Sequence, residues 1–263
     1  MEETCQPEAQ RTRRNLLKAG AKLSAVAAAT TLGVIAAQKS AEACCLFPCF
    51  LRGTHILTAE GERRVEDLAI GDLLPTHFRG LQPIKWIGRF SYKRNDPNKP
   101  WVKEFLPVCV AQSAIAPNVP ARDLYITGRH ALYIDDALVP AASLLNGTTI
   151  ALAPCEHLAE LEFFHIKFES HDVIVADGAP VETLLGNGET AQNFGEYIRL
   201  YGEQLEVEKP CAPILAYNGG RSEVKSRVRS ALSPWTDRRT KLDVIRDRIE
   251  ERGIMITRGA SVI

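Results

Sequence analysis

Short strand-like segments separated by turn residues fill residues 49–186, and they constrain the fold of this chain most. Residues 161–168 form one such segment, and the pair Asp177-Gly178 is typical of a tight turn between strands. Many short strands joined in this way favour antiparallel pairing. The sequence therefore predicts an all-β domain over residues 49–186, with the strands in a barrel-like or horseshoe arrangement.

Beyond residue 186 the alternating pattern stops, and residues 187–263 are expected to form a C-terminal extension with two helices. Ser222 is expected to cap the first helix. One face of this helix would carry the apolar residues Val224, Val228 and Leu232.

The second predicted helix begins at Ser233-Pro234 and ends at Gly253. Its apolar residues Leu242, Ile245 and Ile249 lie at helical spacing. The remaining positions, among them Asp243 and Arg246, are dense in charge, with acids and bases interspersed. This pattern predicts a solvated helix face and not a nucleic-acid surface.

The overall charge and the cysteine content exclude several classes of protein. The chain has 32 basic and 32 acidic side chains, so its net charge does not favour nucleic acid as a partner. Its 7 cysteines include no Cys-x-x-Cys pair and no zinc-like spacing with histidine. We expect no disulfide scaffold, no metal and no cofactor.

The first 43 residues resemble a twin-arginine export signal. Arg13-Arg14 precedes a short apolar pair and a lysine, an uncharged alanine-rich stretch follows, and Ala43 ends a small-x-small cleavage pattern. The expected partner is the twin-arginine translocase, with a short linker at residues 44–48 after the signal. The protein would be periplasmic or secreted. The alternative is an uncleaved N-terminal anchor.

Cys49 opens the motif Cys49-Phe50-x-x-Gly53-Thr54-x-Ile56, which is followed by Val65-Glu66-Asp67-Leu68-x-x-Gly71-Asp72. These residues resemble the Hint family, the autoprocessing domains of Hedgehog proteins and inteins, and in particular its bacterial Hint-like proteins. The resemblance implies a Hint-type horseshoe of short strands. It also implies that the Cys49 thiol attacks the peptide bond before it.

Thr127 and His130 form a second block, which resembles the Thr-x-x-His block of inteins and Hedgehog domains. The resemblance implies that His130 protonates or polarises the scissile amide and that Thr127 assists it. A histidine suits this role because its ordinary pKa lies near neutrality. For His130 the alternative is a purely structural role in a turn.

Later segments of the sequence, up to about Leu185, also resemble blocks of the bacterial Hint-like proteins, and they contain His165, His171 and Asp172. These three residues are possible supporting groups of the site, and a structural role is equally open for them. Metal binding by His165 and His171 is not expected, because their separation is not a known ligand spacing.

The C-terminal splice signal of inteins is missing from this sequence. The residue directly before Asn187 is Gly186 and not a histidine, and the residue directly after it is Gly188 and not a cysteine, serine or threonine. We therefore expect no full splicing, but an N-to-S acyl shift and a single cleavage at Pro48–Cys49. The substrate would be the chain's own N-terminal segment, and the acyl acceptor a small nucleophile (water, a thiol or an amine).

Two other functions remain open from the sequence. A Hint fold without chemistry would act as an exported binding or structural module. Alternatively, Cys44, Cys45 and Cys49 would form the redox cluster of an exported thiol protein. Residues 187–263 carry no motif that indicates a function.

Overall fold

The structure is a computed structural model, and it describes residues 48–94, 96, 98–186, 189, 191–202, 208–217 and 219–260. Several predicted features lie outside these residues: Arg13, Arg14, Ala43, Cys44, Cys45 and Asn187. None of the helices in the described part is long and apolar enough to cross a membrane.

Strands make up most of the described chain between residues 48 and 186. They are β1 Phe50–Leu51, β2 His55–Thr58, β3 Gly61–Arg64, β4 Leu73–Thr76, β5 Gly80–Pro83, β6 Trp86–Lys93 and β7 Val108–Val110. They continue with β8 Leu124–Ile126, β9 Ala131–Ile134, β10 Ala137–Pro140, β11 Ile150–Leu152, β12 Glu160–Lys167, β13 Val173–Ala176 and β14 Ala179–Glu182. Short 3-10 turns occupy Val65–Asp67, Lys103–Phe105 and Ala141–Leu144, and the helices are α1 Phe194–Tyr201, α2 Gly220–Leu232 and α3 Lys241–Ala260.

The strands form two six-stranded sheets and a separate hairpin. The first sheet has the order β11-β7-β8-β1-β12-β6, the second has the order β10-β9-β14-β13-β2-β3, and β4 pairs with β5. All pairings between these strands are antiparallel. The predicted all-β class, with helices near the C-terminus, is confirmed.

Apolar side chains on the strands form two main clusters. The larger cluster contains Phe50, Ile126 and Phe164, together with the inward residues of the second sheet. The smaller cluster contains Cys49 and Trp86 and is closed by Tyr197 of α1. Because successive residues of a strand point to opposite sides, Cys49 and Phe50 belong to different clusters.

The turn at Asp177-Gly178 shows how local sequence determines one of these pairings. Both residues have positive φ, 47° and 79°. Such a backbone fits a two-residue hairpin with the natural twist of its strands, and Asp and Gly adopt it at low cost. The prediction of a tight turn at this pair is confirmed, and the turn joins β13 to β14.

The first predicted helix of the C-terminal extension is present, but its details differ. It begins at Gly220, before the expected cap, and Ser222 Oγ donates a hydrogen bond to the carbonyl of Gly219. The apolar face of Val224, Val228 and Leu232 is exposed. Helix α1 was not predicted, because glycines and polar residues surround it.

The second predicted helix begins at Lys241, later than Ser233-Pro234, and it continues through Gly253 to Ala260. A Cβ atom at Gly253 would lie 3.0 Å from Thr149 Oγ1, so this glycine brings the helix close to a neighbouring turn. The prediction that Gly253 ends the helix was wrong.

The prediction that the charged positions of this helix are solvated was wrong for Asp243 and Arg246, which are buried. Asp243 accepts two hydrogen bonds from Arg229 of α2, and Arg246 donates to Ser226 at 2.7 Å. These contacts hold α2 against α3.

Candidate active site around Cys49

Cys49 lies directly before β1, which is paired on both sides. Phe50 is opposite Ile126 of β8 and opposite Phe164 of β12. The Cys49 side chain is only 2% exposed. The peptide bond before Cys49 is therefore held between the ends of two other strands.

Thr127 follows β8 directly and makes two hydrogen bonds with Cys49. The Cys49 N–H donates to Thr127 Oγ1 at 3.1 Å, and the Thr127 N–H donates to the Cys49 carbonyl at 3.0 Å. The nitrogen of the Pro48–Cys49 peptide bond is therefore in contact with the Thr127 hydroxyl. The structure brings these two predicted residues together.

His130 reaches the same place from the turn that follows Thr127. Its ring lies edge-on to Phe50, 4.3 Å away between centroids, and Nε2 is 2.9 Å from the Glu182 carbonyl. A carbonyl can only accept, so Nε2 carries a proton, and in the neutral ring Nδ1 has a free lone pair. Burial lowers the pKa of His130, while Glu182 and a hydrogen bond with the Cys49 backbone raise it.

His165 is the histidine nearest to the Cys49 thiol. Its Nδ1 lies 3.8 Å from Cys49 Sγ, and its ring is fully buried against Trp86 and Phe90. Burial lowers the pKa of His165 to about 3, and the charges of His130 and Lys167 act in the same direction. His165 is therefore neutral near pH 7 and contacts the thiol as an uncharged group.

Gly88 provides the space that the His165 ring occupies. The two residues are opposite each other on β6 and β12, and a Cβ atom at Gly88 would lie 1.6 Å from His165 Nε2. No side chain fits there without displacing the ring. Gly88 was not identified from the sequence, although a glycine inside a strand is a known sign of close approach.

His171 and Asp172 do not line the Cys49 thiol with the other residues. His171 is buried, and its Nε2 lies 3.4 Å from Glu182 Oε2. The Asp172 carboxylate accepts from the Phe78 N–H at 3.0 Å and pairs with Arg79 at 2.9 Å, so it holds the loop between β4 and β5.

Glu182 is a residue of the site that sequence analysis missed. Its carbonyl accepts from His130, and its carboxylate accepts from the Ala131 N–H at 2.8 Å and approaches His171. It is 6% exposed. The signal available in the sequence was a single acidic residue at the end of an apolar strand.

Within the described residues, no group of three His, Cys, Asp or Glu side chains is arranged to hold a metal ion. Around Cys49 the structure instead brings together a thiol, a hydroxyl that contacts the amide nitrogen of Cys49, and an imidazole beside the Cys49 backbone. Attack on an adjacent carbonyl and release of an amine require these groups.

Comparison with known families gives a match to the Hint domain over residues 48–188, more than half of the chain. The chain belongs to the Hint domain family. Cys49, Thr127, His130 and Glu182 all lie within the matched residues of this Hint domain. No curated protein matches the sequence.

Solved structures similar to this Hint-domain protein include several inteins. The gp41-1 intein is 11% identical, covers 51% of this chain and 97% of its own, and has a TM-score of 0.36. The bacterial intein-like domain from Clostridium thermocellum is 13% identical, with 52% and 97% covered and a TM-score of 0.36. A DnaB intein from Synechocystis sp. PCC 6803 is 10% identical, with 52% and 98% covered and a TM-score of 0.36.

Proposed function

We propose that this Hint domain cleaves its own chain once, at Pro48–Cys49, through an N-to-S acyl shift. This proposal rests on the contact between Cys49 N and Thr127 Oγ1, because this nitrogen must leave when the peptide bond breaks. The sequence lacks the C-terminal residues needed for splicing. The reaction therefore ends with release of the N-terminal segment.

In the first step Cys49 Sγ attacks the carbonyl carbon of Pro48. The C–S bond forms, the C–N bond breaks, and residue 48 is left as a thioester on Cys49. The thiol proton must finally reside on the Cys49 nitrogen, which becomes an amine. The step is therefore balanced without any added reagent.

His130 is the group suited to transfer this proton. Its neutral ring has a free lone pair on Nδ1, and Nε2–H is fixed by the Glu182 carbonyl. Nδ1 can take a proton from the thiol and return it to the leaving nitrogen. Thr127 holds that nitrogen in place, and His165 contacts the thiol without carrying charge.

The thioester is then attacked by a small nucleophile. Water gives a carboxylate, a thiol gives a new thioester, and an amine gives an amide. In each case Cys49 becomes the first residue of the product, with a free α-amine and a free thiol.

Intact mass spectrometry of the full chain, with and without dithiothreitol, tests the proposal. We expect a product that begins at Cys49, formed faster with dithiothreitol because a thiol attacks the thioester. Cys49→Ala should abolish it. Cys155→Ala is the matched control, since Cys155 is also buried in the cluster that contains Cys49.

Unchanged mass in the unmodified chain over days would contradict the cleavage proposal. It would leave a Hint fold that serves as a binding or structural module. A mass lower by about two daltons per oxidised thiol pair, without cleavage, would instead favour a redox role for Cys44, Cys45 and Cys49.

We also propose that residues 1–43 direct export by the twin-arginine route, on the basis of Arg13-Arg14 and the pattern ending at Ala43. Fractionation of cells that express the chain should find it outside the cytoplasm. Replacement of both arginines by lysine should retain it inside. Export of this double variant at the normal level would contradict the proposal.

A further inference from the structure

Helix α2 is held against α3 through polar side chains. Ser226, which is fully buried, donates to the Asp243 carboxylate and accepts from Arg246 at 2.7 Å. One turn further along, Ser230 Oγ donates to Asp247 Oδ1 at 2.9 Å. The inner face of α2 is therefore polar, whereas a surface helix usually packs an apolar face on its protein.

The apolar residues of the same helix point away from α3. Val224, Val228 and Leu232 follow one another at every fourth position, and Trp235 lies in the turn directly after the helix. These four residues, here called the outer stripe, are between 52% and 80% exposed. Since their side chains bury little surface within the chain, the outer stripe is suited to contact another surface.

Basic residues border the outer stripe. At 3.6 residues per turn, Lys225 lies along one edge of the stripe and Arg227 along the other, and Arg221 lies at its first turn. Arg227 pairs with Glu223 at 3.2 Å, and Glu223 is the single acidic residue of α2. Within the part of the chain that the structure describes, neither Arg221 nor Lys225 has an acidic partner. The surroundings of the stripe are therefore positively charged.

An apolar stripe with basic edges matches the surface of an anionic membrane. Apolar side chains enter the boundary between headgroups and acyl chains, and Lys and Arg side chains extend to the lipid phosphates. Tryptophan favours this boundary because its ring is apolar and its N–H is polar. Trp235 is the most exposed of the three tryptophans of the chain. Shape, charge and composition therefore agree with a lipid partner.

Protein partners agree less well with the same features. In a symmetric dimer the outer stripes of two copies would meet, and Lys225 and Arg227 of both copies would come together. Like charges oppose such a contact. A groove on another protein needs large anchoring side chains along the helix, and the outer stripe begins with the small residues Val224 and Val228.

We propose that the outer stripe of α2 binds the surface of membranes that contain anionic lipid. The helix lies parallel to the surface, with the stripe in the headgroup boundary and its basic neighbours near the phosphates. Helix α3 transmits this attachment to the Hint domain, since Leu242, Ile245 and Ile249 belong to the larger core cluster. The binding does not require cleavage at Cys49, so the two proposals can fail separately.

Tryptophan fluorescence of the full chain, mixed with lipid vesicles, tests this proposal. Trp86 and Trp101 are buried and residues 1–43 contain no tryptophan, so a change in emission reports on Trp235. We expect emission to shift to shorter wavelength with vesicles of phosphatidylcholine and phosphatidylglycerol in equal parts. Phosphatidylcholine alone should leave it unchanged. Because the attraction is largely electrostatic, added salt should reduce the binding.

The contribution of the stripe is measured with Val228→Asp, which replaces an apolar contact by a negative charge. This variant should bind the anionic vesicles more than about tenfold more weakly. Val102→Asp is the matched control, because Val102 is 51% exposed and Val228 is 52% exposed, but Val102 lies in the Hint domain. The control should bind as tightly as the unmodified chain.

The contribution of charge is measured with the double variant Arg221→Gln, Lys225→Gln. Each basic residue near an anionic surface strengthens binding by about fivefold, so the double variant should bind about 30-fold more weakly. Lys99→Gln combined with Lys103→Gln is the matched control, since it removes the same charge from exposed positions away from α2. This control should bind normally.

Unchanged emission over the whole range of anionic lipid would overturn the proposal and leave an acidic groove of another protein as the occupant. Equal binding by Val228→Asp and Val102→Asp would also overturn it. A shift that appears without lipid and grows with protein concentration would show that a second copy covers the stripe, against the proposal. Binding to vesicles in a chain that forms no product beginning at Cys49 would support it independently of the cleavage proposal.

Discussion

Cys49 and Cys211 each lie beside a histidine, yet the surroundings of the two cysteines, here called the two sites, differ. Cys49 is 2% exposed and lies in a core cluster, whereas Cys211 is half-buried and its backbone N–H donates to His171 Nδ1. Glu182 contacts the histidines of both sites, through its carbonyl at His130 and its carboxylate at His171. One acidic residue is therefore shared by two different histidine environments.

The difference appears in the two histidines. Burial lowers the pKa of His130, although Glu182 and the Cys49 backbone raise it. Burial also lowers the pKa of His171, but hydrogen bonds with Cys211 and Glu182 raise it to about 9. A neutral imidazole can pass a proton within the chain, whereas an imidazole with a raised pKa keeps its proton.

The largest effect that separates the two sites should come from His130. His130→Gln removes the group that transfers the proton, so cleavage at Pro48–Cys49 should slow by about 100-fold or more. Cleavage rates are measured by intact mass over time. The exposed His157 provides the matched variant, His157→Gln, which should cleave at the normal rate.

If His130→Gln and the His157→Gln control cleave equally fast, His130 does not transfer the proton.

Filling the space beside His165 should have the next largest effect, on the stability of the domain. Gly88→Ala places a Cβ 1.6 Å from His165 Nε2, and the ring cannot move in a packed core. We expect a loss of about 3 kcal/mol in the free energy of unfolding, measured with urea. Gly195→Ala is the control, because nothing lies within 4 Å of its Cβ and alanine favours the helix.

A Gly88→Ala protein as stable as the control would show that the His165 ring has another position.

The sequence allowed much of the fold to be predicted, because apolar segments and turn pairs carry local signals. Residues 161–168 became β12, and Asp177-Gly178 became a hairpin turn. Strand β3 was missed because Gly61–Arg64 contains no apolar side chain, and it forms only by pairing with β2. Helix α1 was missed because its stability comes from Tyr197 packing on Trp86.

The site around Cys49 was predicted only in part, because only some of its residues belong to motifs that can be read from the sequence. Cys49, Thr127 and His130 belong to recognisable motifs, and the structure brings them together. Glu182 lies in one of the later blocks but was not identified as a site residue, and Gly88 belongs to no motif. Their roles depend on which strands and segments meet in three dimensions, and one sequence does not contain that information.

The pair between Lys167 of β12 and Glu208 of the C-terminal extension should show a smaller effect. Glu208→Gln weakens this pair, in which Lys167 is 3% exposed, and should cost about 2 kcal/mol of stability. Glu169→Gln is the control, since Glu169 is 79% exposed in its pair with Lys85 and should cost less than about 0.5 kcal/mol. Urea denaturation measures both variants. Equal losses would mean that burial of the Lys167–Glu208 pair adds nothing to stability.

The smallest effect, and the sharpest comparison, is the opposite pH dependence that His165 and His171 give to stability. The pKa of His165 is lowered to about 3, so its contribution to stability falls as pH drops below the unfolded value of about 6.5. The pKa of His171 is raised to about 9, so its contribution is complete below about 6.5 and is lost as pH rises towards 9.

Between about pH 7.5 and about pH 5.5 each term changes by about 1.4 kcal/mol, and the two nearly cancel in the unmodified chain. Replacement of one histidine therefore reveals the pH dependence that the other histidine gives to stability. Relative to the unmodified chain, His165→Gln should gain stability as pH falls over this range, whereas His171→Gln should lose it. Urea denaturation at both pH values measures the sign. If both variants shift in the same direction, the two histidines do not have the opposite environments that distinguish the two sites.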